Sequence, residues 1–127
     1  MNLETVAPRV GHKTLLYSEL VTNLAGIQAD LAVIGMPFGA AYTPRAYSND
    51  QSNAPQALRE LSDRMVRAPE HYDFDIDCPL LQGRKDIRFV ECGDILPSLT
   101  EPREHYHKRE AAIKELRKGG ALPIILG

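Results

Sequence analysis

Few side chains in this sequence are of a type and spacing that could do chemistry. His105 and His107 flank Tyr106, and a His-x-His pair suits a zinc-like cation. The pair lies in a segment with helical periodicity, however, where residues two apart point to different sides. It is therefore read as the solvated start of a helix. Asp73, Asp75 and Asp77 alternate as a calcium loop begins, but Cys78 and Arg84 stand where that loop needs Gly and Glu. The three carboxylates are read as an exposed loop or edge strand; fully extended, they would share one face. Cys92 precedes Gly93-Asp94 with no base beside it in sequence, and reads as a buried strand thiol. Asp94 ends a predicted parallel strand, where ligands of such sheets gather; it serves equally as a turn cap, and both readings stand. Gly35 and Gly39 do not form G-x-G-x-x-G, and there is no Walker sequence, which counts against a nucleotide-binding domain.

These residues need elements to hold them. Leu16, Leu20 and Leu24 at helical spacing predict a short helix over Thr14–Leu24, ended by Gly26. Asp30–Pro37 holds four consecutive apolar residues and reads as a strand buried on both faces. A long loop, Phe38 to Asn53, follows. Asn53 and Gln56 resemble a capping box, and Ala54–Val66 is predicted helical, with an apolar stripe of Ala54, Leu58, Leu61 and Met65 and a Glu60–Arg64 pair. Ile87–Cys92 is the second strand. A helix capped by Ser98 or Thr100 then runs to Lys118, with the stripe Tyr106, Ala112, Ile113 and Leu116, and Gly119 ends it. Ala121–Leu126 is the third strand. Such alternation makes βαβ units: an α/β fold, three layers in the order αβα, around a parallel sheet.

The chain has 127 residues and a formal net charge of −2, which argues against a nucleic-acid partner held by bulk charge. No apolar run approaches the roughly 18 residues of a membrane span. The N-terminus shows no signal peptide, and two cysteines make no disulfide framework, so a cytoplasmic protein with reduced thiols is expected.

Three segments in series resemble the ureohydrolase family of arginases, agmatinases and related guanidino hydrolases. Asp30-Leu-Ala-Val-Ile-Gly-Met-Pro-Phe38 is similar to D-I-A-V-I-G-V-P-F and leads to Ala54-Pro-Gln-Ala-Leu-Arg59, similar to G-P-x-A-I-R. Val90-Glu-Cys-Gly-Asp-Ile95 is similar to V-D-C-G-D-V, and Gly119–Gly127 to A-G-x-x-P-I-V-L-G. Asp73–Leu81 resembles a D-F-D-x-x-x-P-L segment of some guanidino hydrolases. The resemblance implies the N-terminal portion of the arginase-like fold over residues 30–127, after an N-terminal extension, 1–29. It also implies hydrolysis of a guanidino compound to urea and an amine, with two divalent cations, Mn or Ni, lowering the pKa of a bridging water.

In the family the third strand runs into G-D-H-S, whose His is a metal ligand. This chain ends at Gly127, so no metal ligand and no catalytic residue is expected in it. The loop from Tyr42 to Pro55 departs from the agmatinase pattern R-P-G-x-R-F-G-P. The resemblance places that loop near the active-site mouth, making Phe38, Tyr42, Arg45 and Asp94 the candidate substrate-loop residues. The expected partners are the remainder of the ureohydrolase fold or a partner subunit, in a homo- or hetero-oligomer. The alternative is a non-catalytic subunit that docks on a catalytic ureohydrolase.

Overall fold

A computed structural model describes residues 3–9, 11, 13–38, 50–65, 70–98 and 101–127. The elements are β1 (Glu19–Leu20), β2 (Leu31–Gly35), α1 (Ala54–Met65), β3 (Tyr72–Asp73), β4 (Cys78–Pro79), β5 (Phe89–Asp94), α2 (Pro102–Lys118) and β6 (Leu122–Leu126). The main sheet has the order β1-β5-β2-β6. Its pairings β1·β5, β2·β5 and β2·β6 are all parallel, as the three long predicted strands required. A separate antiparallel hairpin joins β3 to β4.

The strand order explains the layers. The β2–α1–β5 crossover places β5 on one side of β2, and the β5–α2–β6 crossover returns to the other side. Parallel crossovers share one hand, so reversing direction puts α1 and α2 on opposite faces. Side-chain alternation agrees. Ala32, Ile34, Val90 and Cys92 pack with Ala112 and Leu116 of α2. Glu91 points the other way, to Arg59 of α1. Core side chains are fully buried at Leu24, Ala32, Ile34, Val90 and Leu116. Edge strand β6 is less covered, with Leu122 and Ile125 exposed.

Several expectations need correction. Thr14–Leu24 is not a helix. Leu15–Tyr17 makes one 3-10 turn, in which Leu16 (φ 52°) and Tyr17 (φ 59°) are left-handed. The Ser18 N–H and hydroxyl both donate to the Leu15 carbonyl, closing that turn, and the Val21 N–H donates to Glu91 O (2.8 Å), drawing the chain along β5. Edge pairing outweighs the helical spacing of the leucines. Gly26 (φ 68°) accordingly sits in a turn before β2 rather than at a helix end.

Helix α1 begins where expected, but its stripe is in a different phase. Pro55, Arg59 and Ser62 are buried, while Leu58 and Leu61 are about half exposed. Gln56 accepts from the Arg9 N–H and donates to Glu60 (3.0 Å), and no ion pair joins Glu60 to Arg64 among the described residues. In α2 the inward face is His105, Ala112 and Leu116, and Tyr106 is exposed. Ser98 Oγ accepts from the Glu101 N–H (3.0 Å) in the turn before α2, but it does not cap the helix: Glu101 holds the cap position and makes no side-chain capping bond; Thr100 and Val66 lie outside the described residues.

Candidate functional site

The chain's most concentrated chemistry lies at the C-terminal ends of β2 and β5. These are neighbouring strands whose following helices leave to opposite faces, and open α/β sheets form their ligand crevices at such points. The site begins with an irregularity in β5. Val33 pairs with Glu91, but Gly35 pairs with Asp94, so β5 carries one extra residue. Gly93 sits in the irregular stretch at φ 83°, which glycine adopts without a Cβ penalty. Strict alternation would send Asp94 to the face opposite Glu91. The extra residue brings both carboxylates to the α1 face.

Arg59 receives them from α1. Its Nε donates to Glu91 Oε2 (3.1 Å) and its Nη2 to Glu91 Oε1 (3.0 Å), a bidentate pair. Nη2 also reaches the Gly93 carbonyl (3.2 Å). Nη1 lies 2.7 Å from Asp94 Oδ1, outside hydrogen-bonding angles, so that contact is a charge contact. The Arg59 and Glu91 side chains are fully buried and Asp94 nearly so. Burial opposes the guanidinium charge, but the hydrogen bonds to Glu91 and the Coulomb attraction of Glu91 and Asp94 outweigh it and raise the Arg59 pKa. Glu91 is further held by the N–H groups of Gly93 (3.0 Å) and Leu15 (3.3 Å).

Gly35 makes room for this cluster. A Cβ there would fall 1.8 Å from Asp94 Oδ1 and 2.9 Å from Arg59 Nη2. Gly93 makes room for the N-terminal segment, because a Cβ there would lie 2.1 Å from the Val6 carbonyl oxygen. Val6 and Asp94 exchange backbone hydrogen bonds (3.0 and 2.7 Å), and the Thr5 hydroxyl donates to the Cys92 carbonyl. A cleft of about 430 Å³ lies beside this seam, lined by Thr5, Asp94, Ile95 and Lys108 among others.

The anticipated site residues divide. Asp94 lies at the strand end, with its carboxylate engaged by Arg59. Phe38 is about half exposed and stacks on His105, with centroids 6.0 Å apart and planes 13° apart. Tyr42 and Arg45 lie outside the described residues. His105 is not solvated as expected. The α2 face that meets the sheet includes position 105, and the residue is 1% exposed. Desolvation, then the charges of Arg109 and Lys108, pushes its pKa down. The Leu96 backbone opposes this in part, although neither ring nitrogen makes a hydrogen bond of normal geometry among the described residues. His107 is exposed, so the two histidines face apart.

Cys92 is fully buried, as read from the sequence. Burial first and Glu91 second push its thiol up to about 12, so it is no nucleophile at neutral pH. Asp73 ends β3, and Asp75 and Asp77 lie in the turn after it, so the three do not share a strand face. Asp73 accepts from the Asp75 N–H (2.8 Å), and Asp77 accepts from the Tyr72 hydroxyl.

Sequence reasoning gave no structural role to Arg59 and Glu91. One signal was available: a glutamate inside an otherwise apolar buried strand requires a cation facing it.

The sequence profile of the arginase family matches residues 29–127. The chain belongs to the arginase family. The match spans every residue of the ion cluster, along with β2, β5, α2 and β6. No curated protein matches the sequence. Members of the arginase family hold a binuclear metal centre. Among the described residues of this member, no three His, Cys, Asp or Glu side chains gather into a group that could hold a cation. The residues described here therefore do not fit such a centre by themselves. No described helix is long and apolar enough to cross a membrane.

Proposed function

We propose that this chain is the N-terminal part of a binuclear-metal-dependent ureohydrolase, which releases urea and an amine from a guanidino compound. The family match over residues 29–127 carries this reading. The chain's own contribution is positional. Arg59, Glu91 and Asp94 tie α1 to the end of β5, and Gly35 lets the end of β2 close against them. Loops that leave these two strands then start from fixed points, as a site built at the strand ends requires. Phe38, Tyr42 and Arg45 belong to the substrate side of this reading. The metal ligands come from the remainder of the fold or from a partner subunit, in the cytoplasm.

The test uses the natural protein expressed from its own reading frame and dialysed against Mn²⁺ or Ni²⁺. Urea release is then followed over a panel of linear guanidino compounds, agmatine among them. Release from at least one is expected. Folded, metal-loaded protein that yields no urea from any of them overturns the proposal.

A further inference from the structure

Helix α2 carries a cation whose charge the described fold leaves unmatched. The helix runs back from the end of β5 to the start of β6, so its first turns lie at the C-terminal ends of the strands. Arg109 reaches the end of β2 there. Its Nε donates to the Met36 sulfur (3.2 Å), and the Met36 N–H donates to the Leu126 carbonyl (2.7 Å), just past the last pairing of β2 with β6. The guanidinium carbon also lies 5.9 Å from the centre of the Tyr106 ring. A thioether is a weak acceptor and a ring face a soft one, so these contacts hold the guanidinium without matching its charge. Among the described residues no carboxylate pairs with Arg109, whereas Lys108 and Lys114 are paired along the helix with Glu104 and Glu110. Arg109 is also partly buried, unlike the exposed Arg103 and Arg117.

His105, one turn earlier, neighbours Arg109 on the helix surface. It is 1% exposed, and neither ring nitrogen has a hydrogen bond of normal geometry among the described residues. Buried polar atoms without partners are uncommon and cost free energy until something pairs them. The ring stacks on Phe38, which is about half exposed and puts an apolar wall beside the pair. A permanent cation and an imidazole short of partners thus meet at strand ends, where sheets of this kind gather their ligands. The group that complements them is an anion whose two oxygens match the guanidinium fork, which is a carboxylate. On the reaction proposed above, the reacting end of the substrate is itself a guanidinium, which Arg109 repels. The site therefore fits the far end of the substrate. A carboxylate there is attracted, and an amine there meets like charge.

We propose that Arg109, with His105 beneath it and Phe38 as a wall, binds the carboxylate of a guanidino acid, so that this chain favours guanidino acids over guanidino amines. The proposal rests on the reaction proposed above and narrows its substrate class. Arg109 takes the carboxylate through its two terminal nitrogens, and His105 adds an N–H from whichever ring nitrogen carries the proton. Phe38 lies against the methylene chain between the two ends of the substrate. Arg109 acts far from the bond that breaks, so it sets affinity and specificity rather than the rate of the chemical step.

The test uses the natural protein expressed from its own reading frame, with γ-guanidinobutyrate and agmatine as probes. Both carry a guanidino group on a short methylene chain, and they differ in the charge at the far end. Calorimetric titration should show tighter binding of γ-guanidinobutyrate. Arg109→Gln should weaken the acid about tenfold or more and leave agmatine unchanged, since a hydrogen-bonded charge pair is lost for the acid alone. In the urea assay the same variant should raise KM for the acid with kcat little altered. Unchanged agmatine binding and far-UV circular dichroism together verify the fold. Binding of the acid no tighter than that of agmatine overturns the proposal. So does an Arg109→Gln protein that keeps its preference for the acid, as it would if another carboxylate of the protein already held Arg109, or one that loses both compounds equally. Binding is read without turnover, so a protein that binds the acid through Arg109 yet releases no urea refutes the proposed reaction and not this site.

Discussion

Removing the Arg59 cation should expose how much of this fold rests on one buried charge cluster. Arg59→Met keeps a long, flexible apolar side chain in the same space but leaves two carboxylates with no cation. Arg59 and Glu91 are fully buried, and the Asp94 side chain is 9% exposed, so water can do little to replace the guanidinium. Glu91 would keep its bonds from the Gly93 and Leu15 N–H groups. Among the described residues, Asp94 Oδ1 has no hydrogen bond and would lose its one charge partner. Breaking a buried pair from one side costs about 3–5 kcal/mol. A domain of this size has about 5–15 kcal/mol in all. Urea denaturation at pH 7, followed by circular dichroism, should show a loss of about 3–5 kcal/mol, or no cooperative transition. The control is Arg59→Met with Glu91→Gln and Asp94→Asn, which removes the stranded charges and should recover a large share of the loss. If Arg59→Met loses less than about 1 kcal/mol, the range of an exposed pair, the reasoning fails.

Three further outcomes follow from the same contacts. Gly93→Ala should destabilise the chain by about 1–3 kcal/mol, because it meets both a positive φ and the Val6 carbonyl; the amides of Val6 and Asp94 should then exchange faster with solvent. An aromatic disulfide reagent at pH 8 should modify one thiol in the folded chain, the half-buried Cys78, and reach Cys92 only in denaturant; equal reaction at both refutes the burial argument. The folded pKa of His105 is lowered from 6.5, so the unfolded chain binds the proton first as pH falls. Stability should therefore decline as pH drops through about 6.5 and down to the lower folded value. His105→Phe, measured by denaturant midpoint across that window, should flatten the slope, and an unchanged slope counts against it.

The parallel sheet was legible in the sequence because its longer strands are brief, mostly apolar runs separated by helical periods. Helix extents were legible for the same reason: Pro55 near one start and Gly119 at the other end are local signals. The phase of each helix was not. In α1 the leucines at 58 and 61 outscore Arg59 on any hydrophobic count, yet Arg59 turns inward because two carboxylates on β5 need it. In α2, Tyr106 looks more apolar than His105, but the face that carries Ala112 and Leu116 includes position 105. The N-terminal leucines repeat at helical spacing, and an edge strand captured their backbone instead. Each miss concerns a pairing across the sheet, which no window along the chain contains.

Two of the three segments that resembled a family on paper prove to be parts of one contact. Arg59 closes the first, Gly35 lies within it, and Glu91, Gly93 and Asp94 make up the second. The glycines are there for space and for one irregular step in β5, and the charged residues for a pairing that no apolar substitute reproduces singly. An isolated charge in any one segment would be destabilising, so the segments constrain one another and make a specific signal in series. The same arithmetic argues for a role beyond stability. A well-packed apolar trio would hold a sheet at least as well as a buried ion cluster. What the cluster adds is direction: bidentate geometry fixes Arg59 against Glu91 while Asp94 is held at the strand end beside Gly35. On the reading proposed above, in which ligands gather at these two strand ends, that fixed geometry sets where the following loops begin, and it does so with side chains already spent on one another.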